Sequence, residues 1–137
     1  MFVSVDSVKK ENDNRMTKCF DKYGVFFAFG NEQLAKGIAK LNLKEGEKVV
    51  SLGHAMFCKA ALADDFSNEF SEVCKQNSKS LKEKAGIDNL IRYELSNHEC
   101  YYTGDIEDAV DALASYDITD IELIRKIFAE EWSKQAD

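Results

Sequence analysis

Apolar side chains at Val5, Val8, Met16, Cys19, Phe20 and Tyr23 recur at intervals that suit one helical face, and Gly24 can supply a left-handed stop. The spacing predicts a first helix whose middle, Lys9 to Arg15, is polar and exposed. Val25-Phe26-Phe27-Ala28-Phe29 is unbroken and rich in strand formers, which predicts a central strand covered on both faces. Asn31 should then cap a short helix that turns Leu34, Ile38 and Leu41 inward and is weakened by Gly37. Lys44-Glu45-Gly46-Glu47 reads as a turn into a second strand, Lys48 to Leu52, that ends at Gly53. The strand-helix-strand unit so formed can close as a parallel, right-handed pair.

Farther on, Leu62, Phe66, Phe70, Val73 and Leu81 lie three, four and eight residues apart before Gly86, which predicts a long amphipathic helix over the sheet. Ile91-Arg92-Tyr93-Glu94-Leu95 alternates, the period of a half-exposed strand. With Asn97-His98 as a hairpin turn, Leu95 would face Cys100 and Tyr93 would face Tyr102. Ile106, Ala109, Val110 and Leu113 describe a helix started by Thr103-Gly104-Asp105. Thr119-Asp120-Ile121-Glu122 is a capping box, with Ile118 against Leu123 as a staple and Ile121, Ile124, Phe128 and Trp132 as the buried face. The expected fold is α+β: a single domain over residues 1–137, with a small sheet of about four short strands covered by amphipathic helices.

Composition adds limits to this picture. The 137 residues suffice for one core without disulfide or metal, and no run approaches the ~20 apolar residues of a membrane span. Four scattered cysteines (Cys19, Cys58, Cys74, Cys100) lack any CxxC pair, so reduced thiols and a cytoplasmic location are expected. The net charge of −7 is unevenly spread: residues 98–137 hold 3 basic and 11 acidic side chains. Such a surface repels phosphate backbones and suits a basic protein partner instead.

Candidate chemistry gathers in two places. His54, Met56 and Cys58 follow the second strand, where ligands favour open sheets, and form the pocket candidate. His98 and Cys100 lie in NHECYYTGDIEDAV, and together with His54 and Cys58 offer a zinc or thiol site; a hydrolase using Cys58, His54 and His98 is the alternative function. Against it, the hairpin would put His98 in a turn and Cys100 in a core. The carboxylates of Asp105, Glu107, Asp108 and Asp111 suit a helix N-terminus and a solvated face, and are the partner-binding candidates. No phosphate-binding glycine loop or calcium-loop pattern is present, so neither a cofactor nor a metal is expected.

The strings DKYGVFFAFGNEQL (Asp21 to Leu34), LKEGEKVVSLGHAMFC (Leu43 to Cys58) and IRYELSNHECYYTGDIEDAVDAL (Ile91 to Leu113) resemble a family of small uncharacterised proteins associated with phages and mobile elements of gut bacteria. The resemblance implies no activity, cofactor or catalytic residue. In that family the loop after VVSLG more often carries small residues where this chain has His54. The expected function is a non-enzymatic accessory factor of such an element, binding protein through its acidic C-terminal third.

Overall fold

α1 (Val5–Tyr23) stops where the sequence predicts, at Gly24 with φ of +62°. The computed structural model describes residues 1–136, and the chain divides into two compact units. Unit one takes Met1–Asn12 and the chain from Gln76 onward; unit two takes Asp13–Lys75. Among the described residues there are seven α-helices and one three-stranded antiparallel sheet, so the α+β class holds.

Unit two contains the sheet. Its strands β1 (Phe26–Phe27), β2 (Val49–Gly53) and β3 (Met56–Lys59) lie in the order β1-β3-β2, every neighbour antiparallel. β1 and β2 therefore run the same way but never pair, because β3 lies between them; the expected parallel pair is absent. The run Val25 to Phe29 is an edge and not a central strand, with Phe27 and Phe29 exposed. An apolar pentapeptide reports burial only on average, and here Ala28 alone of the five is fully buried.

β3 occupies the stretch read from sequence as a loop. His54 and Ala55, at φ of +51° and +63°, are the two central residues of a tight hairpin between Gly53 and Met56. The turn was hidden because neither residue is the Asn or Gly that usually marks positive φ. Met56 and Cys58 alternate into the core of unit two, where Met56 joins Cys19 and Phe66. Phe20, Phe66 and Phe70 pack ring on ring around them, with centroids 5.3 to 6.1 Å apart. Phe66 and Phe70 belong to α3 (Ala63–Ser80), which covers this core as its periodicity predicts.

Gly37, a weak helix former, has a packing reason in α2 (Asn31–Lys40). A Cβ at this position would overlap the ring of Phe26, which stacks on Phe57 at 5.8 Å. The helix begins without a side-chain bond from Asn31; instead Gln33 Oε1 accepts the Phe29 N–H at 2.8 Å, reaching back over the start of the helix.

Among its described residues, unit one carries helices and no strand. After α3 a π-turn (Leu81–Ala85) leads to Gly86, whose φ of +88° starts α4 (Ile87–Asn97). The predicted strand Ile91–Leu95 and its hairpin are thus corrected to helix. Five residues cannot separate a period of 2 from one of 3.6; with Leu90 included, Leu90, Ile91, Glu94 and Leu95 form one buried helical face. Beyond α4 lie α5 (Cys100–Thr103), α6 (Glu107–Ala114) and α7 (Ile121–Ala136). Val5, Val8, Leu90, Ile91, Leu95, Cys100, Ala109, Leu113, Ile124 and Ile127 share their core.

Two expected details of unit one change. Asn12, placed by sequence in an exposed segment, is buried; its side chain donates to the Asn77 carbonyl at 3.0 Å while Asn77 donates to the Asn12 carbonyl at 3.3 Å. The cap of α7 is Asp120 and not Thr119: Asp120 Oδ1 accepts the Leu123 N–H at 3.1 Å. Trp132 is 42% exposed, and Ile127 takes the core position expected of it.

Gly37→Ala provides the test of the α2 packing. Propensity alone would stabilise the helix by about 1 kcal/mol. Overlap with the Phe26 ring should instead destabilise the protein by about 1 to 3 kcal/mol in denaturant unfolding. In a Phe26→Ala background the sign should reverse, and a loss that persists there would show that Phe26 is not the obstacle.

Candidate functional site

The stretch from Ser96 to Asp108 is a corner between helices. α4 ends with the His98 N–H on the Glu94 carbonyl at 3.1 Å, and Glu99 enters the left-handed region at φ of +55°. From there the amides of Tyr102 and Thr103 both reach the Glu99 carbonyl at 3.0 Å, which makes the single turn α5. Gly104, φ +80°, reverses the chain again. The Asp105 N–H donates to Thr103 Oγ1, and Asp105 Oδ1 accepts the Glu107 N–H at 2.9 Å, so α6 starts on a hydrogen-bonded turn. Asp105 therefore has an architectural task.

Beneath this corner lies Glu94, whose side chain is 3% exposed. Lys9 Nζ approaches Oε1 at 3.4 Å, and His98 Nε2 approaches Oε2 at 3.2 Å. A carboxylate taken out of water is tolerated only with partners of this kind. Lys9 in turn lies over the Tyr93 ring at 4.5 Å, and the Tyr93 hydroxyl donates to Asp6 at 3.1 Å. Burial alone would lower the Lys9 ammonium; attraction from Tyr116, Glu94 and Tyr93 outweighs it, and the net shift is upward. Lys9 stays charged. Sequence reading missed this cluster, although the signal was present: Glu94 lies four residues after Leu90 and three after Ile91, a charge on an apolar helical stripe.

α6 presents the acidic candidates. Ala109 and Leu113 are buried while Glu107, Asp108 and Asp111 are exposed, and among the described residues no basic side chain pairs with these three. Glu131, in contrast, is held by Arg92 at 3.2 Å and Lys134 at 3.3 Å, and these two partners lower its carboxyl. By sequence, unit one holds nine basic and sixteen acidic side chains and unit two nine of each, so the whole net charge of −7 belongs to unit one.

The four residues considered for zinc fall in different units. His54 is in the β2–β3 turn, and Cys58 is fully buried in β3, its thiol directed at the Lys59 carbonyl at 3.3 Å. His98 caps α4 and Cys100 is fully buried beside it. No three His, Cys, Asp or Glu side chains among the described residues are grouped to hold a metal. Burial pushes the thiols of Cys58 and Cys100 up, and that of Cys19 as well, aided by the Glu69 carboxylate.

These directions fix two outcomes. In the native protein the buried Cys19, Cys58 and Cys100 should react with a neutral thiol reagent at pH 7 far more slowly than free cysteine, leaving Cys74 to react first because it is exposed, although partial burial pushes its thiol up as well. A native Cys58 or Cys100 that outpaces free cysteine would refute this. Because the folded thiol values lie above the usual 9.0, the stability they contribute is complete below pH 9 and falls as pH rises through the folded values. Unfolding midpoints across that range check the sign.

No curated protein matches the chain, and no solved structure does. A family model described as "Family of unknown function (DUF7659)" matches residues 8–136, a description that carries no activity, host or partner. With nearly its whole length matched, the chain belongs to this family of unknown function.

Proposed function

We propose that the protein works by binding a basic protein surface through the acidic face of unit one. The observation that carries this is the outward display of Glu107, Asp108 and Asp111 on α6, unpaired among the described residues, in a unit that holds all of the net charge. Such a field speeds encounter with a basic partner and is screened by salt, the Debye length shrinking from ~10 Å at 0.1 M to ~3 Å at 1 M. The same field opposes nucleic acid on this face.

The resemblance of the sequence supports the finer reading of an accessory factor of a phage or mobile element of gut bacteria. A cytoplasmic setting is supported by four unpaired thiols. No helix among the described residues is long and apolar enough to cross a membrane. The rival reading, a thiol- or zinc-dependent hydrolase using Cys58, His54 and His98, needs an ionised thiol, whereas burial moves Cys58 the other way.

Replacing Glu107, Asp108 and Asp111 together by lysine tests the proposal. The fold should survive with a cost of roughly 0.3 to 1 kcal/mol for each first-turn acid. Basic proteins captured from a lysate by the wild-type chain at about 0.1 M salt should be released at about 1 M salt and should not be captured by the triple variant. Undiminished capture by the variant, with the same salt dependence, removes the acidic face from the function.

A further inference from the structure

At the corner after α4, unit one has a surface hollow of about 420 Å³ lined by Ser96, Glu99, Tyr101 and Tyr102. Its lining combines two phenol rings, a hydroxyl and one carboxylate, with no cationic side chain among them. Tyr102 is 90% exposed, so its ring is open to a ligand. Tyr101 is fixed from behind, its ring stacked on Phe128 at 5.6 Å with 5° between the planes. Its hydroxyl is buried without a hydrogen-bond partner among the described residues, and burial, then the Glu131 charge, pushes the phenol up, so the ring is neutral at pH 7. Glu99 is exposed, held by its backbone at the left-handed position that starts α5. Anchored ring, free ring and carboxylate are thus presented together on one turn.

We propose that this hollow binds the guanidinium of an arginine side chain carried by a basic partner segment, which rests on the acidic-face reading above and names its anchor point. The planar cation would stack on the exposed Tyr102 ring and pair with the Glu99 carboxylate, while the charge of unit one favours a basic segment around it. Ser96 adds a hydroxyl that can accept from the remaining N–H groups. An anionic occupant would be repelled by Glu99.

The test uses the full chain, 15N-labelled, titrated with a capped Gly-Gly-Arg-Gly-Gly peptide and with the same peptide carrying neutral citrulline. The arginine peptide should shift the backbone amides of Glu99, Tyr101 and Tyr102, and the citrulline peptide should not. Tyr102→Ala removes no buried contact and should weaken the arginine peptide about two- to thirtyfold, while Tyr102→Phe keeps the ring and the affinity. Glu99→Gln should also weaken it. An equal response to citrulline, or an unchanged affinity in Tyr102→Ala, overturns the pocket. A hexa-arginine peptide separates the two claims. If the α6 lysine variant loses hexa-arginine while Tyr102→Ala binds both peptides normally, the acidic face stands and the pocket falls. If Tyr102→Ala loses both peptides while the α6 variant binds both normally, the pocket stands and the acidic face falls.

Discussion

The buried carboxylate of Glu94 is the constraint on which unit one depends. It joins Lys9 of α1 to His98 at the end of α4, residues far apart in the chain, through two polar contacts in a largely apolar interior. An unpaired charge at this depth would cost several kcal/mol, so the fold of unit one has to hold Lys9 and His98 on Glu94. The corner is built outward from that point: His98 ends one helix, Glu99 takes the left-handed turn, and Cys100 drops into the core.

The surface follows from the interior. With Leu95, Cys100, Ala109 and Leu113 committed to the core, the backbone takes left-handed turns at Glu99 and Gly104, and Tyr102, Glu99 and the acids of α6 are left facing solvent. Asp105 shows the two demands meeting in one side chain, since its carboxylate caps the turn into α6 and adds to the negative face. The corner is therefore architecture in its backbone and cysteine, and its outward side chains are left to solvent.

Much of this was legible in the sequence. Gly24 and Gly86 marked real stops, the α3 and α6 stripes fell on buried and half-buried residues, and the acidic bias found the surface of unit one. The failures share one cause, the short reach of local pattern. Ile91, Tyr93 and Leu95 alternate over five residues, yet the helix that contains them is set by Leu90 before them and by Gly86. The hairpin was sought at Asn97-His98 because Asn tolerates positive φ, while the real one uses His54-Ala55, held there by pairing of β2 with β3. Tyr102, which the expected hairpin set opposite Tyr93 on a buried face, is instead 90% exposed, and Glu99 carried no periodic signal; that both line one hollow is defined only by three-dimensional neighbours.

A double-mutant cycle on Lys9 and Glu94 measures the central interaction most directly. Lys9→Met leaves the buried carboxylate with His98 alone, Glu94→Leu leaves a half-exposed ammonium, and the double variant removes the charge mismatch. Denaturant unfolding should show the double variant more stable than the sum of the single losses by about 1 to 3 kcal/mol. Losses that add to within about 0.5 kcal/mol would contradict a Glu94-centred unit.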